Sequence, residues 1–264
     1  MENETIIRLA VFGGLFAVFA LAEVFAPRRS RSQPLGTRWR TNWSFAVLNT
    51  VALRLLAFVL PLLAVGAALD AEARGWGFFN HRSWPLWVEI PLAIVMLDFL
   101  IWLQHLVMHK VPYLWRLHRV HHADRDFDVT TAIRFHPVEI ALSMLWKIWW
   151  AYVLGVAAIA VVLFEILLNG TAMFNHSNLK LPLGLDAVLR RVLVTPDMHR
   201  VHHSIHREEH DSNYGFSLSI WDRMMGTYRA QPKEGHDDMT IGLQWQDDRP
   251  SQLGWALKLP FGRE

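Results

Sequence analysis

The chain has 264 residues, 52% of them hydrophobic and 19% charged, with 13 tryptophans, 14 histidines and no cysteine. The missing cysteines exclude disulfides, thiolate metal sites and iron–sulfur clusters on their usual ligands. A formal net charge of +2, without a basic stripe interleaved with aromatics, argues against nucleic acid as a partner, whereas the apolar, tryptophan-rich composition suits a unit anchored at two membrane interfaces.

A bilayer crossing needs about 20 mostly apolar residues. The first such run covers 6–26; its flank is acidic and no small-residue cleavage site follows, so it reads as a span and not as a signal peptide. The linker 27–40 carries Arg28, Arg29, Arg31, Arg38 and Arg40, which places it on the cytoplasmic side. A second run covers 45–69, with Arg54 and Pro61 inside it, and the loop 70–85 then lies outside. A third covers 86–108, carries Asp98 and returns to the cytoplasm at His105. The region 138–174 is too long for one span and barely enough for two. A tight hairpin of two short helices, turning near 151–157, brings the chain back to the side it left. The segments 110–136 and 176–264 are punctuated by prolines into short helices and turns. The expected architecture is an all-α integral membrane protein with about four transmembrane helices: two long spans, a third span and a hairpin. A cytoplasmic helical cap completes a single domain over 1–264, with the histidine motifs falling within 98–229.

The pentapeptide His-Arg-Val-His-His occurs twice, at His118, His121 and His122 and again at His199, His202 and His203, and His105 and His109 precede the first copy. Offsets of three and four residues bring side chains to one helix face, where imidazoles can converge on a metal. His176, directly after the hairpin, can reach back to the same surface. His136 is a further candidate, either as a ligand or supporting one. Asp98 lies on one helical stripe with Trp102, His105 and His109; it can fix the tautomer of a ligating histidine or pair with an arginine for structure alone. His206 and His210 read as a polar rim beside Glu208 and Glu209, and His81 and His236 as bystanders. A structural zinc closes with four ligands, so this many histidines point to two ions of four or five nitrogens each, with positions left open. Imidazole suits iron, copper, nickel and zinc. Open, nitrogen-ligated iron at a membrane surface points to dioxygen chemistry on a lipid, whose C–H bonds offer nothing to a hydrolytic site.

These motifs carry a resemblance. HxxxH followed by two HxxHH groups, with TTAIRFHPVE, FNHSNLKLP and MHRVHHSIHREEHDSNYGFSLSIWDRMMGTYR around them, resembles the fatty acid hydroxylase and sterol desaturase superfamily of integral-membrane di-iron oxidases. The resemblance covers about 38–229. It implies a cytoplasm-facing centre that hydroxylates or desaturates a lipid with dioxygen and two electrons, and it adds His176 to the ligand set. Some members carry another histidine four residues before that position, where this chain has Ala172.

The expected cofactors are two iron ions, which zinc can replace in overexpressed samples, with dioxygen as co-substrate. Neither an HPGG signature nor a glycine-rich dinucleotide fingerprint is present, so a separate electron-donor protein is the expected partner beside the membrane lipid. An apolar route must lead from the bilayer to the histidines; its expected walls are Trp102 and Leu106 on the third span and Leu168 and Met173 on the return helix, unless these merely pack. The competing readings are a membrane metal-ion carrier and a family member with a purely structural metal site.

Overall fold

A computed structural model describes residues 3–60 and 63–262. Among them there is no β-strand, only three isolated bridges. Four segments are long and apolar enough to cross a bilayer: Glu4–Phe25, Leu35–His81, Leu86–Lys110 and Ala158–Asn175. The chain is an all-helical membrane protein.

Helix α1 (Glu4–Phe25) matches the first expected span. Helix α2 (Leu35–Val59) begins about ten residues earlier than hydropathy suggests. Arg38, Trp39, Thr41 and Asn42 look like linker in sequence, yet they form its first turns. Arg38 is buried there, bonded to Asp124 at 2.6 and 3.0 Å and to Asp128 at 2.6 Å. A charge that hydropathy assigns to solvent is thus neutralised inside the protein by two carboxylates. Pro61, expected within this span, lies outside the described residues. Helix α3 (Ala64–Arg74) continues the same stretch and packs on the hairpin through Ala64, Ala67, Ala68 and Ala71, whose small side chains allow close approach.

Helix α4 (Leu86–Lys110) is the third span, and α5 (Pro112–His122) follows after a single residue, with proline at its first position. The expected hairpin is present as α6 (Pro137–Leu154) and α7 (Ala158–Asn175), turning over residues 155–157. Gly155 makes that turn possible: its φ is +62°, and a Cβ there would lie 2.3 Å from the carbonyl oxygen of Trp76. The α6 helix is not itself apolar enough to count as a span, because it carries Glu139 and Lys147.

The remaining chain forms short helices: α8 (Leu183–Leu189), α9 (Pro196–His202), α10 (Arg207–His210), α11 (Ile220–Met224), α12 (Gly235–Asp238) and α13 (Leu253–Lys258). They gather at one end of the bundle, where α4 ends, α6 begins and α7 ends. Two histidine-bearing helices, α5 and α9, therefore meet the histidines at the ends of α4 and α7.

Gly155→Ala combines a left-handed backbone with a steric overlap, so unfolding in detergent should show a loss of about 1–3 kcal/mol. Gly13→Ala, whose Cβ meets nothing within 4 Å, is the matched control and should show no loss.

Candidate metal centre

The two pentapeptides divide in a crossed pattern. Helix α5 places His118 and His122, one turn apart, on the face toward α4, while His121 points away from that pair. In α9, the i,i+4 partners His199 and His203 share one face and His202 diverges. His105, His109, His118, His122 and His202 form one group, and His121, His176, His199 and His203 form another. Within each group the candidate ligand atoms all lie within 4.8 Å of one another, and all nine side chains are buried. The groups adjoin: the rings of His122 and His203 stack at 4.5 Å.

The hydrogen bonds fix which nitrogen is available. Nδ1 of His105 donates to the Tyr214 carbonyl at 2.7 Å, that of His121 to Arg134 at 3.1 Å, that of His176 to Ala172 at 2.7 Å and that of His202 to Ser212 at 2.7 Å. Nδ1 of His118 faces the Glu139 carboxylate at 2.6 Å. Each acceptor lacks a proton of its own, so the imidazole proton sits on Nδ1 and Nε2 carries a lone pair. Those Nε2 atoms then face one another: His105 to His118 at 3.1 Å, His202 to His105 at 3.0 Å and His176 to His121 at 3.1 Å, while His199, whose Nδ1 has no partner among the described residues, brings its Nε2 within 3.1 Å of that of His176. Opposed lone pairs at hydrogen-bond distance in a buried site repel unless a cation lies among them. Both nitrogens of His109, His122 and His203 also lack a hydrogen-bond partner, as metal-directed imidazoles would in a protein-only description. The donor set fits two divalent metal ions.

Residues that sequence reasoning missed hold these rings in place. Glu139, one turn into α6, orients His118 and was legible only as a carboxylate inside an apolar helix. Asp222 accepts from the backbone N–H groups of Tyr214 and Gly215, each at 2.8 Å, and from the Trp102 indole at 3.0 Å. It thereby fixes the loop whose carbonyl orients His105.

Other candidates have different roles. Among the described residues Asp98 bonds no histidine and no arginine; it accepts from the Trp221 indole at 2.8 Å and from the Leu218 backbone at 3.2 Å. The stripe that lined it up with His105 is real, but two turns of helix separate the carboxylate from the rings. His136 lies outside both groups and caps α6, accepting from the Val138 N–H, as its place before proline requires. His210 donates to the Ser204 carbonyl at 3.1 Å and stays outside the groups. Of the expected path residues, Leu168 lines a cavity of ≈ 170 Å³ that reaches His105 and His118. Trp102 is buried against Asp222, Met173 borders a small void near α1, and Leu106 borders neither cavity.

Burial lowers the proton affinity of His121, His122, His199, His202 and His203 well below the ordinary imidazole range, and neighbouring imidazoles lower it further. His176 is brought down to about 4 by the same burial. An unfolded chain takes up these protons near pH 6.5, so between about 6.5 and about 4 the unfolded state binds more protons than the folded one. Stability of the metal-stripped protein should therefore fall as pH drops through that window. A melting temperature in chelator that stays flat from about pH 7 to about pH 5 would contradict the neutral cluster.

The fatty acid hydroxylase family model matches residues 90–227, just over half the chain. An ornithine lipid hydroxylase of Rhizobium tropici is 28% identical over 88% of this chain and 70% of its own length. The human alkylglycerol monooxygenase is 32% identical over 58% of this chain, which spans about a third (34%) of that relative. A cholesterol 25-hydroxylase-like protein of Danio rerio is 26% identical over 86% of the chain and 94% of its own length. No solved structure matches the chain significantly. Nine buried histidines from four helices, within the matched segment, agree with that model, and the chain belongs to the fatty acid hydroxylase family of lipid-acting oxidoreductases.

Proposed function

We propose that the protein hydroxylates a membrane lipid, using dioxygen at two iron ions held by the two histidine groups. The observation that carries this reading is the convergence of nine buried imidazoles into sets of five and four, five of them held by outer acceptors on Nδ1 so that their Nε2 lone pairs face inward. His105, His109, His118, His122 and His202 would hold one ion, and His121, His176, His199 and His203 the other. Bound iron supplies the redox chemistry that C–H oxidation by dioxygen requires. The balance is one C–H bond and one dioxygen, with two electrons and two protons, giving one C–OH and one water. Hydroxylation is favoured over desaturation because the relatives are named hydroxylases and monooxygenases.

The protein's own groups do the rest. Tyr214, Arg134, Ala172 and Ser212 carbonyls and the Glu139 carboxylate orient the rings. The cavity beside His105 and His118 admits the reacting carbon from the bilayer, and its apolar lining, including Ile101, Met108 and Leu168, keeps bulk water from that wall. The arginine-rich segment at the histidine end supports a cytoplasm-facing centre.

Electrons come from a separate donor in this reading. A depression of ≈ 780 Å³ beside His109 is rimmed by Lys110, Arg116 and Arg207 against one carboxylate, Asp211, which pairs with Lys110 at 2.9 Å and Arg207 at 3.7 Å, and it is lined by Trp115 and His210. The Trp115 ring lies 4.8 Å from His109 and 5.3 Å from His122. A basic rim over an aromatic that touches the first group suits an acidic redox protein.

Active protein from its native host should contain two irons per chain, and metal analysis giving one or none would defeat the two-ion reading. His122→Ala and His203→Ala should each abolish a product heavier than the lipid by one oxygen atom. Arg116→Glu should leave metal content intact while slowing reduction by an acidic donor roughly tenfold at low salt, with the difference shrinking as salt rises. Equal reduction rates at low salt would remove this face as the docking site.

A further inference from the structure

A second concentration of charge lies within the membrane-spanning bundle, away from the histidines. Arg8 of α1 bonds Glu165 of α7 at 2.5 Å and Glu4, one turn earlier, at 3.0 Å. Lys147 of α6 bonds the other oxygen of Glu165 at 2.7 Å. These four side chains line a cavity of ≈ 540 Å³, and Arg54 of α2 stands on the same wall. Arg54 makes no hydrogen bond or ion pair among the described residues. Ionisable groups at membrane depth are expensive and mark functional paths more often than scaffolding. A structural staple would balance its charges. Here three cations face two carboxylates, and the unmatched cation borders open space.

The cavity adjoins a second one that reaches the histidines. Ile140, Ser143, Lys147 and Asn169 line both it and the ≈ 170 Å³ cavity that ends at His105 and His118. Along α6, Glu139, which holds His118, and Lys147 are eight residues apart, about 12 Å of helix. One elongated molecule can touch both ends. Its end at the histidines meets mostly apolar lining, including Ile101, Met108 and Leu168, while its other end meets an excess of positive charge in a low-dielectric setting.

We infer that the substrate is a lipid bearing an anionic group, a carboxylate or a phosphate, which Arg54 with Lys147 and Arg8 holds in the larger cavity while another part of the molecule reaches the His105/His118 wall. This rests on the lipid-hydroxylase reading above and narrows its substrate class. A neutral sterol or alkylglycerol leaves the extra cation without a counter-charge; an anionic lipid supplies one.

The test uses metal-loaded full-length protein in nanodiscs, with lipid binding followed by native mass spectrometry and turnover followed in parallel. The probes are an N-acylglycine for the carboxylate, phosphatidic acid for the phosphate, and an alkylglycerol and cholesterol as neutral lipids. At least one anionic probe should bind tenfold or more tightly than both neutral ones, and which one does so identifies the anion. Arg54→Gln, at a position with no partner to lose, should erase that preference without lowering metal content. Equal binding of all four probes, or a preference that survives Arg54→Gln, overturns the assignment. Arg8 and Lys147 both pair with Glu165, so the control is made at Arg54: Arg54→Lys keeps the charge and should retain the anionic preference at the wild-type melting temperature, and loss of the preference in that variant as well would overturn the assignment. Anionic preference without any oxidised product supports this site and counts against the hydroxylase reading alone.

Discussion

The structure depends on one electrostatic constraint: nine imidazoles are buried together, and five of them, His105, His118, His121, His176 and His202, direct Nε2 lone pairs at one another. Dry protein does not tolerate that arrangement on its own, because each unsatisfied polar group costs about 1–3 kcal/mol, and opposed acceptors add repulsion. Protonation would relieve it, but burial among other imidazoles keeps the rings neutral. A cation in each group is the remaining way to satisfy the nitrogens. Metal would then belong to the folding equilibrium as well as to the chemistry, as it does wherever ligands converge only in the folded state.

The route from sequence to this centre is short because helical periodicity does most of the sorting. In each His-Arg-Val-His-His copy the first and last histidines are one turn apart and the fourth residue lies off that line. Two copies on facing helices then contribute two rings to one group and one to the other, in opposite senses. The end of α4 adds His105 and His109 to the first group, and the end of α7 adds His176 to the second. The asymmetry of five against four falls at Ala172, one turn before His176. There a small side chain borders the cavity beside His105 and His118, so the lower nitrogen count coincides with room for another molecule.

What hydropathy and spacing revealed was whatever repeats: the long apolar runs, the hairpin forced by same-side histidines, and the motif positions themselves. What they concealed depends on contacts distant in sequence. The start of α2 was hidden because Arg38, Thr41 and Asn42 are polar, and partners more than 80 residues away make their burial tolerable: Asp124 and Asp128 for Arg38, the Ser251 carbonyl for Thr41, and Asp124 and Thr130 for Asn42. Asp98 was conspicuous as a carboxylate in a span, and its position on the His105 stripe suggested a role beside the rings. Its real partner, Trp221, lies on the short helix α11, 123 residues further along the chain, where no periodicity links the two. Glu139 is the converse: unremarkable in sequence, it contacts His118 because α6 starts where α5 passes.

Most ring orientations rest on backbone carbonyls, so loop geometry sets the metal geometry. Arg134 illustrates the linkage. Its carbonyl receives the His121 proton, while its buried guanidinium donates to the Val120 carbonyl at 2.8 Å, to Asn42 at 2.9 Å and to the Pro250 carbonyl at 2.7 Å. That one residue joins α2, the end of α5 and the C-terminal segment to the second histidine group. Nearby, the Arg38 pairing with Asp124 and Asp128 fixes the loop that leads into it. Asp222 does the same for the first group through Tyr214, and Asp98 steadies the neighbouring turn at Leu218. Buried charges that contact no histidine therefore act on the centre through the carbonyls they immobilise. A substitution at Arg38 or Asp222 would loosen a ligand's tautomer before it unfolded a helix, which explains how a lipid enzyme can keep polar networks in its interior without those groups touching substrate.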